Sequence, residues 1–492
     1  MSKSLRRRIM AAWRRAHRIL GIDRRNLGLG QIGIGGNGSA RSTIFSGNRL
    51  LSVAMIAGAA LLVSSEVKAQ SSATWTGKTN NSLIGNTNWN PVGSITGKAL
   101  HFGTVGPSGS TVSLNDPTGY WTSDSMTFDA GAAKYNISIG SNGQGGLTLS
   151  NQTTSIKNNS GQTQIFILGG AGAYGFLAIK GGVDSQVNFN VKGLGYLFGH
   201  ENADLGNSTV NLTGSGALEV STISGSLNVG ALSGTNMSRS AGGVYFTTKP
   251  YTYAGTYDPS VTPNQTIFIG ALNANTTYDG PIRQTDGANG SVVKVGTGQL
   301  TLGGVSEITG GTSVQCGTLA IANNGSLSAQ SALNVAAGAT LDLTQAKSQI
   351  VVSLSGATGS TVHLGASGTT LTFGDGTSQT FGGAIDGSGG FTKQGTGTQT
   401  VTGNIASSVN TTVNAGNLVV ANGGNVAGNT TVNNGTFTAG PNGTVSGNTA
   451  VNPNGTLALN NGNVTGNTAL NNGTVASIGS GNASLGNVTG NG

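Results

Sequence analysis

Asn410-Thr411, Asn429-Thr430, Asn448-Thr449 and Asn467-Thr468 open four copies of one phrase, each nineteen residues after the last. Val413, Val432, Val451 and Leu470 keep the same step, as do Val426, Val445 and Val464, with Ala483 closing the series. A fixed period near 20 residues marks identical turns stacked on one another, each too small to bury its apolar face alone. The chain therefore reads as a solenoid with a linear core. Such a molecule offers a long exposed surface rather than one central pocket, which points away from an enzyme.

A longer repeat lies upstream of these copies. Val292-Val293-Lys294-Val295-Gly296-Thr297-Gly298 is answered 99 residues on by Phe391-Thr392-Lys393-Gln394-Gly395-Thr396-Gly397. The same offset pairs Val314 with Val413, Gly317 with Gly416, Leu319 with Leu418 and Ile321 with Val420. About five short coils are expected within it. Apolar residues alternate in Leu147-Thr148-Leu149, Leu300-Thr301-Leu302 and Leu457-Ala458-Leu459, which predicts short strands between Gly/Asn turns. Further strand-length runs fall at Gln164–Leu168, 176–180, 187–191, 208–212 and 217–220.

The physics of one turn follows from these residues. Each coil supplies two or three strands whose alternate side chains point inward. Gly and Asn take the corners because they tolerate positive φ. Parallel backbone pairing at about 4.8 Å would give roughly 20 coils and a rod on the order of 100 Å. Asn429, Asn448 and Asn467 are the candidates for an amide ladder along one corner. The early segment 70–150 holds Trp75, Trp89, Trp121 and Leu100-His101-Phe102-Gly103, and large side chains suit an end coil that has no neighbour on one side.

The net charge of +8 describes the leader rather than the body. Residues 1–70 hold twelve of the 24 Lys and Arg but only Asp23 and Glu66 of the 16 acids, which leaves the remainder slightly acidic. Past residue 70 the only arginines are Arg239 and Arg283, so no basic face for nucleic acid is expected. The apolar run 50–63 follows a long basic stretch and precedes Val67-Lys68-Ala69, a small-x-small pattern that predicts signal cleavage between Ala69 and Gln70. Residues 5–20 carry arginines around Trp13 and suit a basic amphipathic helix. Cys316 is the one cysteine, so no intramolecular disulfide can form. Gly 85 and Pro 9 of 492 residues stay below the disorder range of about 25–30%.

The hydrophobic-x-Lys-x-Gly-x-Gly-x-Leu-x-Leu segment at 292–302, with Thr312-Ser313-Val314-Gln315-Cys316-Gly317-Thr318-Leu319 after it, resembles the autotransporter-associated β-strand repeat. The copy at 391 departs from that pattern at Gln399, where a leucine is expected. Trp75, Trp89-Asn90 and Phe102-Gly103 resemble the opening of such passengers, and the long basic leader is similar to their extended signals. The resemblance implies an all-β fold, a right-handed parallel β-helix with Gly/Asn-rich turns. It also implies export to the cell surface or medium, through an outer-membrane translocation barrel as partner. No barrel is encoded before the chain stops inside its repeats at Gly492, so either a longer protein or another carrier is expected. An open sheet edge at that end favours a truncated chain. The expected divisions are a leader at 1–69, a cap at 70–150, a β-helix at 151–285, the long-repeat blocks at 286–405 and the nineteen-residue repeats at 406–492.

Chemistry-bearing residues are sparse. His101, His200 and His363 are isolated in sequence, and His200-Glu201 lacks the second His of a zinc-protease motif. Asp375 stands alone in Gly374-Asp375-Gly376, which predicts no calcium array. No catalytic residue, metal or cofactor is expected, and Cys316, matched by Ala415, reads as a small buried residue. The dense aromatic patch Tyr245, Phe246, Tyr251, Tyr253 and Tyr257, near Lys249, is the candidate ligand-contact loop, because exposed aromatics beside a cation suit sugars or proteins. Three readings remain: an adhesin or spacer contacting a host or neighbouring cell, a polysaccharide-acting enzyme on a β-helix, and a structural surface coat.

Overall fold

The computed structural model describes residues 71–490, apart from 79, 105–110, 117–118, 239–241, 250–260, 473 and 479–482. The signal cleavage site at Ala69 and Gln70 and the basic stretch at 5–20 lie outside the described residues. Ser71–Gly492 forms one unit built as a β-solenoid of about 17 turns. Each late coil contributes three strands, and each strand pairs in parallel with its counterpart one coil on. In the coil Thr398–Val401, Asn404–Ile405, Asn410–Val413, the three partners are Asn417–Val420, Asn425–Val426 and Thr430–Val432. These define a first, second and third face. Pairing on the third face runs from Tyr120–Ser123 through Ala217–Thr222 to Ser306–Glu307, then resumes from Gln349–Val351 to Val488–Gly490. Between those stretches Leu327 donates its N–H to the Gln349 side-chain carbonyl at 2.8 Å, so an amide side chain replaces a missing strand bond.

The expected strands are present: Gln164–Leu168, Tyr174–Ile179, Val187–Lys192, Leu205–Gly214 and Ala217–Thr222. There are fewer coils than the roughly 20 expected, because early coils are longer than the nineteen-residue period. Successive partners Tyr120, Gly146, Phe176, Tyr196, Ala217 and Gly243 are separated by 20 to 30 residues. Inward residues form one continuous core. Val413, Val432 and Val451 are wholly buried, as are Val426, Val445 and Val464. Aromatic bulk gathers in the first described coil. Trp75 and Trp89 meet edge-to-face at 5.2 Å and Trp89 meets Phe102 at 5.7 Å, with the Trp89 indole N–H donating to the Leu83 carbonyl at 2.7 Å. Ser72–Trp75 also pairs antiparallel with Trp89–Asn90, folding the chain back over the end of the stack. Trp121 packs against this core only partly buried.

The corners explain the glycines, asparagines and motif lysines. Asn422, Asn442 and Asn461 adopt φ of 53°, 58° and 59°. The amide ladder lies at a different corner from the expected one. Asn433 donates its Nδ2–H to Asn414 Oδ1 at 2.8 Å, Asn452 to Asn433 at 2.7 Å and Asn471 to Asn452 at 3.2 Å. Asn429, Asn448 and Asn467 make no amide-to-amide ladder: they present backbone carbonyls to Thr411, Thr430 and Thr449, each at 2.8 Å, and Asn448 Oδ1 accepts from the Asn467 backbone N–H at 3.1 Å.

In the long repeat, Lys294 turns inward, is buried, and donates to the carbonyls of Val295 at 2.6 Å, Gly296 at 2.8 Å and Cys316 at 3.2 Å. Lys393 does the same with Gln394 at 2.6 Å, Gly395 at 2.8 Å and Ala415 at 3.4 Å. Each ammonium thus ties its own corner to the corner of the next coil, satisfying carbonyls that turn away from the ladders. Burial pushes both lysines below the usual range, with Cys316 and Asp375 opposing that shift. Gly296 takes φ 68°, and a Cβ there would stand 2.0 Å from the Gly270 carbonyl oxygen, so only glycine fits under the lysine.

The 99-residue offset is not five coils. Lys294 lies on the first face, in Asn289–Lys294, whereas Lys393 lies on the third, in Gly390–Lys393. Following the strands from one to the other gives four coils and two further strands. Cys316 is free and half-buried rather than buried, and its contribution to the corner is its backbone carbonyl.

Candidate functional site

On the third face, inward and outward positions alternate strictly. In Leu194–Glu201, Leu197 points to the core while Tyr196, Phe198 and His200 point out; in Ala217–Thr222, Leu218 and Val220 point in while Ala217, Glu219 and Ser221 point out. Because the pairing is in register, outward residues form columns along the stack. One column reads Tyr120, Gly146, Phe176, Tyr196, Ala217, Gly243. The next reads Thr148, Ala178, Phe198, Glu219, Tyr245, Arg283.

The aromatic members of these columns pack as a group. Tyr120 and Phe176 lean over Gly146 and stack at 4.9 Å, 18° apart. A Cβ at Gly146 would come within 2.1 Å of the Phe176 ring, so this glycine is what lets the two rings meet. Phe176 meets Phe198 edge-on at 5.7 Å, and Tyr196 stacks on Phe198 at 5.8 Å with 13° between planes. Tyr174 and Tyr196 remain 52% and 36% exposed. Past Tyr196 the column loses its side chains at Ala217 and Gly243. The surface there sinks into a groove of about 780 Å³ between the rings and a polar end formed by Glu219, Thr247, Lys249 and Asp286.

The charges at the polar end are engaged with one another. Glu219 Oε1 lies 3.4 Å from His200 Nε2 and accepts from Ser221 Oγ at 3.1 Å. Asp286 lies 3.8 Å from the Lys249 ammonium and accepts from Thr247 Oγ1 at 3.1 Å. Beyond the groove Lys180 pairs with Glu201, and Arg283 Nε donates to Glu307 at 3.0 Å. Ser221 and His200 converge on the same carboxylate. The hydroxyl therefore donates to Glu219 rather than to an imidazole base, which is not the arrangement that activates a serine nucleophile.

Of the aromatic residues singled out in the sequence, Tyr245 lines this groove, its hydroxyl donating to the Gly242 carbonyl at 2.7 Å. Phe246, its neighbour in strand Gly243–Phe246, points inward and is wholly buried, so it belongs to the core and not to a contact surface. Tyr251, Tyr253 and Tyr257 lie outside the described residues. The histidines, isolated in sequence, each acquire a carboxylate from a following coil: Asp129 for His101 at 3.1 Å, Glu219 for His200 and Asp386 for His363. Sequence reading missed Tyr120, Tyr174, Phe176, Tyr196 and Phe198 as a group. The signal that would have found them is the coil register, which stacks Tyr120, Phe176 and Tyr196 in one column although they lie on different coils. Among the described residues no group of three or more potential ligands could hold a metal ion, and no helix is long and apolar enough to cross a membrane.

No protein-family model, curated protein or solved structure matches this chain.

Proposed function

We propose that this chain is a surface-displayed or secreted β-helical passenger of the autotransporter kind, acting as an adhesin or cell-surface spacer without catalysis. The observation that carries the reading is the aromatic groove on one face of a charge-poor stack. The solenoid supplies a continuous stiff support, because each coil is hydrogen-bonded to the next, the late coils through three strands. Contact with a partner then falls to side chains on the faces, where Tyr174 and Tyr196 present large ring surface at low entropic cost. The Lys-x-Gly-x-Gly corners at Lys294 and Lys393 support the same reading, since they carry the resemblance to autotransporter repeats.

The reading is tested on native cells with an antibody raised to residues 286–430. Intact cells are shaved with protease and the detected species is weighed. A protease-sensitive outer-membrane species is expected. A species confined to the periplasm or cytoplasm would sink surface display. Adhesion is assayed with outward point variants such as Tyr196→Ala rather than by deleting 242–260, because that deletion would remove the core residues Val244 and Phe246.

A further inference from the structure

We infer that the groove on the third face binds a neutral oligosaccharide laid along the axis of the stack. The inference deepens the adhesin reading and rests on it. Three observations lead to this chemistry. First, the groove joins ring faces to hydrogen-bonding side chains. Tyr174 and Tyr196 offer exposed rings, while Gln144, Thr247, Thr285 and Glu219 line the same space with donors and acceptors. A pyranose has the matching character, with an apolar C–H face and an equatorial rim of hydroxyls.

Second, the charges lining the groove are of both signs and lie beside one another, so neither sign sets the character of the site. Lys249 lies 3.8 Å from Asp286, and Glu219 accepts from Ser221 with His200 Nε2 at 3.4 Å. A neutral ligand leaves both arrangements in place and can hydrogen-bond to their free edges.

Third, the backbone has nothing to offer a peptide. The strand carrying Tyr196 and Phe198 is paired along its length with Tyr174–Ile179 on one side and Ala217–Thr222 on the other. No sheet edge is open there for strand addition. Recognition must come from side chains alone. The column from Tyr120 to Gly243 spans five coil steps, about 24 Å at the parallel-strand spacing, which suits a chain of several sugars rather than one.

The test uses the purified full chain and four neutral hexasaccharides: β-1,4-linked glucose, α-1,4-linked glucose, β-1,3-linked glucose and β-1,4-linked N-acetylglucosamine. Heparin and polygalacturonate serve as acidic comparisons. Binding is followed by calorimetry and by saturation-transfer NMR. At least one neutral hexasaccharide should bind, with Tyr196→Ala weakening it about tenfold and Tyr196→Phe sparing it. Tyr196 is outward, so the thermal transition of both variants should match the parent; should Tyr196→Ala shift it, Tyr174→Ala is read in its place. Binding of the acidic polymers alone, of none of the six, or equal binding by the alanine variant would overturn the inference. Cells displaying the Tyr196→Ala chain separate the two ideas. Undiminished adhesion together with no glycan binding would remove the oligosaccharide and leave the adhesin. Absence of the chain from the surface would remove the adhesin and leave the measured binding as it stands.

Discussion

Replacing Thr430 and Thr449 with valine should make the stack more stable. Thr411, Thr430, Thr449 and Thr468 are register partners on the third face, all pointing inward and all buried to 1% exposure or less. Their Oγ1 atoms have no hydrogen-bond partner. The reason is geometric. Parallel partners stand about 4.8 Å apart, and the stacked Thr hydroxyls do not close that gap to one another, whereas the longer carboxamides of Asn414, Asn433 and Asn452 do. A buried hydroxyl without a partner costs about 1–3 kcal/mol, and a methyl in its place gains about 0.8 kcal/mol of transfer energy. Valine matches threonine in shape and strand preference. Each Thr→Val change should therefore stabilise by about 2 kcal/mol or more, and the Thr430→Val, Thr449→Val pair by more than either change alone. Thr430→Ser, which keeps the hydroxyl and loses the methyl, should destabilise by about 1 kcal/mol. Stacked coils do not unfold as one cooperative unit, so the readout is native-state amide exchange at Val432 and Val451, supported by guanidinium unfolding. Slower exchange in the valine pair is expected. If valine instead speeds exchange, the hydroxyls are hydrogen-bonded in solution and the reasoning about their reach is wrong.

Lys393→Met should cost about 2–4 kcal/mol, because it leaves the carbonyls of Gln394, Gly395 and Ala415 without their shared donor in a buried corner; exchange at the flanking amides reads the loss, and an unchanged profile would mean water takes the ammonium's place. Gly296→Ala should cost at least about 2 kcal/mol, since it combines φ 68° with a Cβ 2.0 Å from the Gly270 oxygen, and urea unfolding of that region should show it. Alkaline pH should act in two opposed steps. Lys294 and Lys393 have folded pKa values below their ordinary 10.5, so the unfolded chain binds more protons just below that pH and stability rises slightly. Tyr135 and Tyr278 have folded values raised above 10.0 by burial, so the unfolded chain loses protons first and stability falls above pH 10, with wholly buried Tyr278 contributing up to about 1.4 kcal/mol per pH unit. Tyr278→Phe should flatten that second step in a pH series of thermal unfolding.

The solenoid was legible because nineteen-residue spacing and inward alternation are both local statements about the chain. Val413, Val432 and Val451 announce their shared depth by position alone. The groove was not legible, because the spacing of its residues in sequence is not the coil register: Tyr174 and Phe176 recur 22 residues on as Tyr196 and Phe198, yet Phe176 pairs with Tyr196. Tyr120, Phe176 and Tyr196 become neighbours only after the coil lengths are known, and those lengths are set by corner insertions that leave no periodic trace. The asparagine ladder shows the same limit on a smaller scale. Asn429 and Asn433 recur with equal regularity, and only the backbone decides which of the two aims its amide at the next coil. The inward position of Phe246 beside outward Tyr245 follows from strand alternation, a rule that a count of clustered aromatics overlooks.

The long repeat that runs four coils and two strands has a consequence for how such a chain can grow. A segment copied by a duplication in the gene need not contain whole turns to fold. Lys294 and Lys393 hold equivalent corners although the second stands on a different face. Any insertion whose length is a whole number of strands keeps inward residues inward, and merely rotates everything downstream by about one third of a turn. The tolerated quantum of change is therefore the strand-and-corner unit. Lineages could reposition a binding face around the axis by gaining or losing such units, without altering a single residue of the face itself.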